Sequence, residues 1–306
     1  MSAALGFGGA QIGGLYTAVS EQTAHDALQA AWEGGIRYYD TAPLYGSGLS
    51  ERRLGTFLSQ MPRDAYTLST KVGRVLVPAT GGSDRSGSLA GFAGGLAYDA
   101  VFDFSGEGIR RSLESSLERL RVSHVDVAYV HDPDDHIEQA IADSYPALLR
   151  LRDEGTVKAI GVGVNVCAPA IRFVRECDVD VVMIAGRYTL LDRSAAETLF
   201  PLCLQRKVRV AAAAVFNSGI LSKADPVEDA RYDYRPADAH TLDRARYFAH
   251  ICRRYGTALP AAAIAFAGNH PAVWRVVLGM RTAGEVRENL AYSRASIPPE
   301  LWEELR

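Results

Sequence analysis

Gly6-Phe7-Gly8-Gly9-Ala10-Gln11 stands at the first strand candidate, Leu5 to Gly9, and its reading separates two architectures. An open sheet that binds a dinucleotide carries G-x-G-x-x-G there, the third glycine allowing close packing of helix on strand. Here the third position is Gln11, and the pattern fails. A second candidate, Gly161-Val162-Gly163-Val164-Asn165-Val166, follows another strand and fails at the same place. Outward from these points, β-branched runs alternate with amphipathic helical stretches. The further strand candidates are Ile36 to Tyr39, Tyr66 to Lys71, Val125 to Val130, Ala159 to Val164, Val181 to Ile184, Val208 to Ala213 and Val273 to Leu278. Between them lie helix candidates at Ser20 to Glu33, Ser50 to Ser59, Gly106 to Arg121, Ile137 to Glu154, Ala168 to Glu176 and Ala195 to Gln205. Ser20 and Ser50 read as N-caps, and Gly34-Gly35 and Gly155 as C-terminal stops. Repeated βα units with eight strands and no dinucleotide fingerprint predict an α/β fold of the (β/α)8 TIM-barrel type.

Two segments break the rhythm. Arg74 to Ser105 contains Gly81-Gly82, Gly87, Gly91 and Gly94-Gly95, and Ser222 to His240 carries Tyr232, Tyr234 and Pro236. Both follow strands, so in a barrel both rise over the C-terminal face as lids or pocket walls. Residues 1–306 then form a single domain with long loops at about 74–105 and 222–240.

Composition narrows the function. The chain is 48% hydrophobic and 23% charged, values of a compact water-soluble protein and not of a disordered or fibrous one. Its 33 Lys+Arg and 36 Asp+Glu are interspersed, so no basic stripe meets nucleic acid. Tyr255 to Trp274 lacks charged residues, but Pro260, Asn269, His270 and Pro271 oppose a membrane span and favour a short buried helix. Cys167, Cys177, Cys203 and Cys252 have no C-x-x-C spacing and read as buried reduced thiols. With no basic n-region at Met1 to Gly14, a cytoplasmic location is expected.

The strand ends carry the chemistry. Asp40-Thr41-Ala42-Pro43-Leu44-Tyr45-Gly46 follows the second strand, Ser69-Thr70-Lys71 ends the third, and Tyr129-Val130-His131 ends the fourth. A carboxylate, a phenol, an ammonium and an imidazole thus converge on one rim. Asp40 supplies the counter-charge a buried Lys71 needs, and a cation beside Tyr45 is expected to stabilise the phenolate and lower its pKa. Such a tyrosine protonates a carbonyl oxygen or deprotonates a hydroxyl. Taken singly, each has a plain structural role: Asp40 a turn residue, Lys71 a surface lysine, His131 a core imidazole. Their placement together favours function.

Gly34-Gly35-Ile36-Arg37-Tyr38-Tyr39-Asp40-Thr41-Ala42-Pro43-Leu44-Tyr45-Gly46, with Ser50-Glu51-Arg52-Arg53-Leu54-Gly55 and Ser69-Thr70-Lys71-Val72-Gly73, resembles the aldo-keto reductase superfamily. The likeness continues through Val130-His131-Asp132-Pro133 and Ala185-Gly186-Arg187-Tyr188 to Leu278-Gly279-Met280-Arg281 and Glu288-Asn289. Within the superfamily the chain is most similar to bacterial sugar dehydrogenases of the D-threo-aldose 1-dehydrogenase type, also called L-fucose dehydrogenases, with pyridoxal 4-dehydrogenase nearby. The resemblance implies Tyr45 as acid/base, Asp40 and Lys71 as its tuning pair, and His131 as the group orienting the substrate. It implies a nicotinamide nucleotide, NAD or NADP, across the barrel mouth. Asn165 would hold the carboxamide, and the loop with Phe216, Asn217, Gly219 and Leu221 would cover the nucleotide. Gly279, Met280, Arg281, Glu285, Glu288 and Asn289 would hold its adenosine end. The family's glutamine of the sixth strand is replaced by Ala185, and its nicotinamide-stacking aromatic by Ala213, for which Phe216 is the substitute. Glu285 stands where relatives place a phosphate-binding side chain, which favours NAD.

The implied reaction is oxidation of the anomeric C1 hydroxyl of an aldose such as L-fucose to a lactone. Pyridoxal oxidation and general aldehyde or ketone reduction are the nearest alternatives. The substrate partner is therefore a small sugar or aldehyde, not nucleic acid or membrane. Two readings from other classes stand beside these. His131, Asp132, Asp134, Asp135 and His136 form a ligand-rich run that would suit a metal-dependent barrel hydrolase, although no H-x-H pair occurs and no metal is expected. A nucleotide-binding subunit without catalysis is the other, since fold does not dictate function.

Overall fold

The computed structural model describes residues 4–79 and 91–305. Gly81-Gly82 and Gly87 of the first long segment lie outside the described residues. Eight parallel strands close into a barrel: β1 (Ala4–Gly8), β2 (Tyr38–Asp40), β3 (Thr67–Val72), β6 (Val125–His131), β7 (Val157–Val164), β8 (Val181–Ala185), β9 (Arg209–Ala213) and β12 (Val273–Gly279). Their order around the barrel is β1-β12-β9-β8-β7-β6-β3-β2. All eight coincide with the strand candidates, because strands buried on both faces read as apolar β-branched runs. Tyr38, Tyr129, Met183 and Val277 fill the barrel interior. The two phenols satisfy each other there, with hydroxyls 3.0 Å apart. At Gly161 a Cβ would stand 1.8 Å from the Val181 carbonyl oxygen, so β7 and β8 approach as they do only because that residue is glycine.

Helices cover the outside. Ser20 caps α1 (Glu21–Glu33), its Oγ accepting from the Thr23 N–H at 3.0 Å. Ser50 does not cap α2 (Leu49–Leu58). Gly48, at φ +93°, holds that position, and Ser50 lies buried inside the first turn, where its Oγ donates to the Gly9 carbonyl at 2.8 Å. A short polar side chain favours caps, but here it ties the helix to the barrel rim. After α3 (Gly106–Leu120), the helix expected over 137–154 is interrupted. It runs as α4 (Ile137–Gln139), a π-turn over Ala140–Ser144, and α5 (Tyr145–Asp153). Pro146 has no N–H for the carbonyl four residues back, and the helix widens by one residue there. The stretch expected at Ala195 to Gln205 begins with a 3-10 turn over Ser194–Ala196 before α7 (Leu199–Arg206); α6 (Cys167–Glu176) precedes it. Trp32 packs against Tyr66 with Arg37 over its ring. It is a wall residue of the helix layer.

Neither long segment is structureless. Within the first, β4 (Arg74–Pro78) pairs antiparallel with β5 (Tyr98–Phe102). The second contains β10 (Arg231–Tyr232) and β11 (Arg235–Pro236), joined through Asp233 and Tyr234 at φ +48° and +66°. Two left-handed residues make the tight turn whose twist suits a hairpin. α8 (Ala239–Arg254) and α9 (Leu259–Gly268) follow, with α10 (Ala283–Ser293) and α11 (Leu301–Glu304) after the last strand. α9 is the short buried helix expected between the prolines, and among the described residues no helix is long and apolar enough to cross a membrane. The four cysteines are free. Cys177, Cys203 and Cys252 are buried, but Cys167, in the first turn of α6, is partly exposed and not buried as expected.

Candidate active site

Asp40 ends β2, Lys71 lies near the end of β3, and His131 ends β6, so parallel pairing delivers all three to the C-terminal rim. Lys71 Nζ donates to Asp40 Oδ2 at 2.7 Å and to the Thr41 carbonyl at 2.9 Å, while Ser69 Oγ donates to Asp40 Oδ1 at 2.8 Å. Lys71 and Asp40 are buried. Tyr45, in the turn between β2 and α2, places its ring centroid 4.7 Å from Lys71 Nζ. The His131 ring meets it edge-on at 6.1 Å, and Phe92 stacks on it at 5.6 Å.

Burial governs the protonation states. Burial alone would lower the Lys71 pKa, but Asp40 and Tyr45 more than offset it, and the ammonium is held above its usual range. Burial pushes the Asp40 carboxyl up against the pull of Lys71. Tyr45 departs from the expectation of a lowered pKa. Burial raises it and outweighs the opposing Lys71 cation, so the phenol is a weaker acid than in water although the cation is in place. His131 is driven well below the usual imidazole range by burial and then by Lys71 and Arg74, so it is neutral near pH 7.

Around this core lies a polar chain. Asn165 Nδ2 donates to Asp132 Oδ1, and Asn165 Oδ1 accepts from the Tyr234 hydroxyl, both at 3.1 Å. Arg187 Nε donates to the Asn165 carbonyl at 2.6 Å, and the same guanidinium pairs with Asp192 and Asp233. Asn165 thus lies at the mouth with both ends of its amide engaged.

Beside the mouth, Tyr16, Thr17, Ser218, Gly219, Lys223 and Arg281 line much of a cleft of about 340 Å³. Of the proposed nucleotide contacts, Gly219 and Arg281 face this cleft. Phe216 is half-buried against the core. Asn217 Nδ2 donates to the Gly186 carbonyl at 3.1 Å. Leu221 and Met280 are fully buried, which leaves their backbone alone to meet a ligand. Gly279 and Glu288 are exposed and Asn289 is buried. Glu285 is committed to the start of α10: its Oε2 accepts from the Arg281 N–H at 2.6 Å, while Thr282 Oγ1 accepts from the Glu285 N–H at 3.1 Å. The cleft brings cations to the C-terminal face, where the diphosphate of a dinucleotide would lie. Lys223 and Arg281 suit a diphosphate, and Arg281 Nε and Asn217 Oδ1 are buried without a partner among the described residues.

The ligand-rich run after β6 does not assemble. His136 turns to the rings of Phe102 and Phe104, and Asp132 pairs with Arg74. Among the described residues no three His, Cys, Asp or Glu side chains converge as metal ligands. Conversely, Phe92, Arg74, Tyr16 and Lys223 belong to the site and escaped the sequence reading. Arg74, Phe92 and Lys223 carried a signal only as members of the two long segments expected over the C-terminal face, and Tyr16 carried none.

A barrel whose rim gathers a buried Asp-Lys pair, a tyrosine and a neutral histidine beside a cleft lined by Lys223 and Arg281 is that of an oxidoreductase, and the chain belongs to the aldo/keto reductase family, which it matches over residues 4–306. It is an NAD(P)-dependent enzyme of that family acting on small molecules. It is 44% identical to the D-threo-aldose 1-dehydrogenase of a Pseudomonas species, across 99% of this chain and 92% of the relative. It is 37% identical to the pyridoxal 4-dehydrogenase of Microbacterium luteolum, across 99% of this chain and 93% of the relative. Among solved structures, the glycerol dehydrogenase of Gluconobacter oxydans superposes with a TM-score of 0.79 at 23% identity, covering 98% of this chain and 89% of that one. At that identity the likeness is one of fold.

Proposed function

We propose that the chain oxidises the anomeric C1 hydroxyl of an aldose such as L-fucose to a lactone. The observation that carries this reading is the buried Lys71–Asp40 pair at 2.7 Å, with Lys71 set 4.7 Å from the ring of Tyr45. The identity to a sugar 1-dehydrogenase supplies the substrate class. Tyr45 takes the hydroxyl proton, Lys71 stabilises the phenolate that the mechanism needs, and Asp40 with Thr41 fixes the direction of the ammonium. His131, neutral, hydrogen-bonds the reacting oxygen without adding a charge. A nicotinamide nucleotide, when bound, supplies the hydride acceptor. Lys223 and Arg281 hold its diphosphate, and the loop through Phe216, Asn217, Gly219 and Leu221 covers it, with Asn165 at the carboxamide.

The lean is to NAD, because Glu285, bonded to the Arg281 backbone N–H at the start of α10, sets there a carboxylate that would repel a ribose phosphate. The whole chain acts as one domain, and four free thiols favour the reducing cytoplasm. Pyridoxal in its hemiacetal form presents the same reacting group, and the 37% identical relative keeps it as a second reading.

The test is turnover with NAD and NADP against L-fucose, D-arabinose, L-galactose, L-rhamnose and pyridoxal, followed by absorbance of the reduced nucleotide. Tyr45→Phe should abolish sugar oxidation and leave nucleotide binding intact. Equal turnover by that variant overturns the assignment.

A further inference from the structure

We propose that Arg74 and Asp132 form a diol-recognition pair that reads the hydroxyls next to the reacting carbon; the inference rests on the aldose reading and names the groups that select within it. Asp132 follows His131 directly, and its Oδ2 lies 3.5 Å from His131 Nε2. A substrate oxygen held by His131 therefore brings its neighbouring oxygens to this carboxylate. Arg74, at the start of β4, approaches from the other side, its Nη2 3.3 Å from the same Oδ2.

The lengths distinguish this pair from the one beneath it. Lys71 and Asp40 close at 2.7 Å, the length of a saturated charge-assisted bond, whereas Arg74 and Asp132 stop at 3.3 Å. The Arg74–Asp132 pair is under-bound. The side chains of Arg74 and Asp132 are 15% and 22% exposed, so a ligand at the mouth can reach them. Arg74 Nε is buried with no partner among the described residues, and its guanidinium lies over the Phe102 ring at 4.0 Å. A fixed fork of donors thus stands beside a carboxylate with acceptor capacity left after Arg74 and Asn165. Adjacent hydroxyls of a sugar donate and accept at once, and such a donor–acceptor pair matches both roles. Asp132 also holds φ +45°, a conformation that costs an L-residue energy and is typical of positions where the side chain's direction matters.

The test is a cycle between protein groups and substrate hydroxyls. kcat/KM for the best aldose and for its 2-deoxy and 3-deoxy counterparts is measured with wild type, Asp132→Asn and Arg74→Gln. In wild type, loss of one of these hydroxyls should cost about tenfold or more, as when a built hydrogen-bonding site is left unpaired. In either variant the same deletion should cost only about twofold, because the partner is already gone. A merely structural tie lowers all rates together and leaves the deoxy penalty unchanged, which overturns the proposal, as does a wild type indifferent to both deletions. Either variant alone suffices if the other fails to fold. A wild type that oxidises no aldose overturns the substrate reading and this inference with it; active wild type with unaltered penalties overturns this inference alone.

Discussion

Lys71→Met removes one positive charge and little volume from the centre of the site. The ammonium stands 4.7 Å from the centre of the Tyr45 ring. With an effective dielectric constant of about 20, a charge pair at that distance is worth about 3.5 kcal/mol, or about 400-fold in a rate that depends on phenolate character. kcat/KM for oxidation should fall by about that factor at every pH where wild type is active. The variant also leaves Asp40 buried without its partner, and breaking a buried pair from one side costs about 3–5 kcal/mol when the orphan stays charged. The Asp40 carboxyl is already pushed up by burial, and loss of Lys71 pushes it further. A raised carboxyl is stable while protonated, so the variant should approach wild-type stability at acid pH and lose ground as pH rises through the folded-state value. Steady-state rates, calorimetric nucleotide binding and denaturant titrations at two pH values separate these effects. A variant within about tenfold of wild type, with normal stability at alkaline pH, would refute the electrostatic account.

Other outcomes follow from single features. The pH profile for oxidation should rise toward alkaline pH with the buried Tyr45 phenol and show no limb from His131 near pH ~6.5, where a free imidazole titrates. Because the folded-state pKa of His131 is depressed, its contribution to stability is present above that pH and lost as pH falls, which acid denaturation of His131→Gln against wild type would check. Arg281→Ala should weaken nucleotide binding about tenfold, roughly 1.4 kcal/mol by calorimetry, and unchanged affinity would remove Arg281 from the cleft's binding groups. Gly161→Ala drives a methyl to within 1.8 Å of the Val181 carbonyl and should destabilise the barrel by roughly 3 kcal/mol in urea unfolding.

The barrel was legible because its strands are short apolar runs buried on both faces, and the proton-transfer residues because parallel strands put their ends on one rim. What the sequence could not carry was distance from water. Tyr45 has its cation, yet burial reverses the expected direction of its pKa. Contacts between remote segments were equally hidden: Phe92 reaches Tyr45 across 46 intervening positions, held by a bridge to Leu15. Ser50 was misread because the preference of serine for caps is local, while its bond to Gly9 spans 41 residues. Arg74 opens a segment expected at the mouth, but nothing marks it there as a binding group, since an arginine at the start of a loop looks like a surface residue until its acceptor is known.

Among the described residues, ten that are not glycine hold positive φ. Arg121 and Lys207 end helices at the floor of the barrel, where the chain turns into β6 and β9. Most of the others, Tyr16, Ser47, Asp132, Asn217, Ser218, Asp233 and Tyr234 among them, sit in loops at the mouth. The two groups call for opposite treatment by an engineer. Glycine at the floor positions relaxes a helix terminus and leaves the chemistry untouched. The same exchange at the mouth would ease the backbone but erase the rings and carboxylates that greet the substrate. A search for hardier variants scored on melting temperature alone would therefore tend to erode this rim first, and the floor is where such a search should begin.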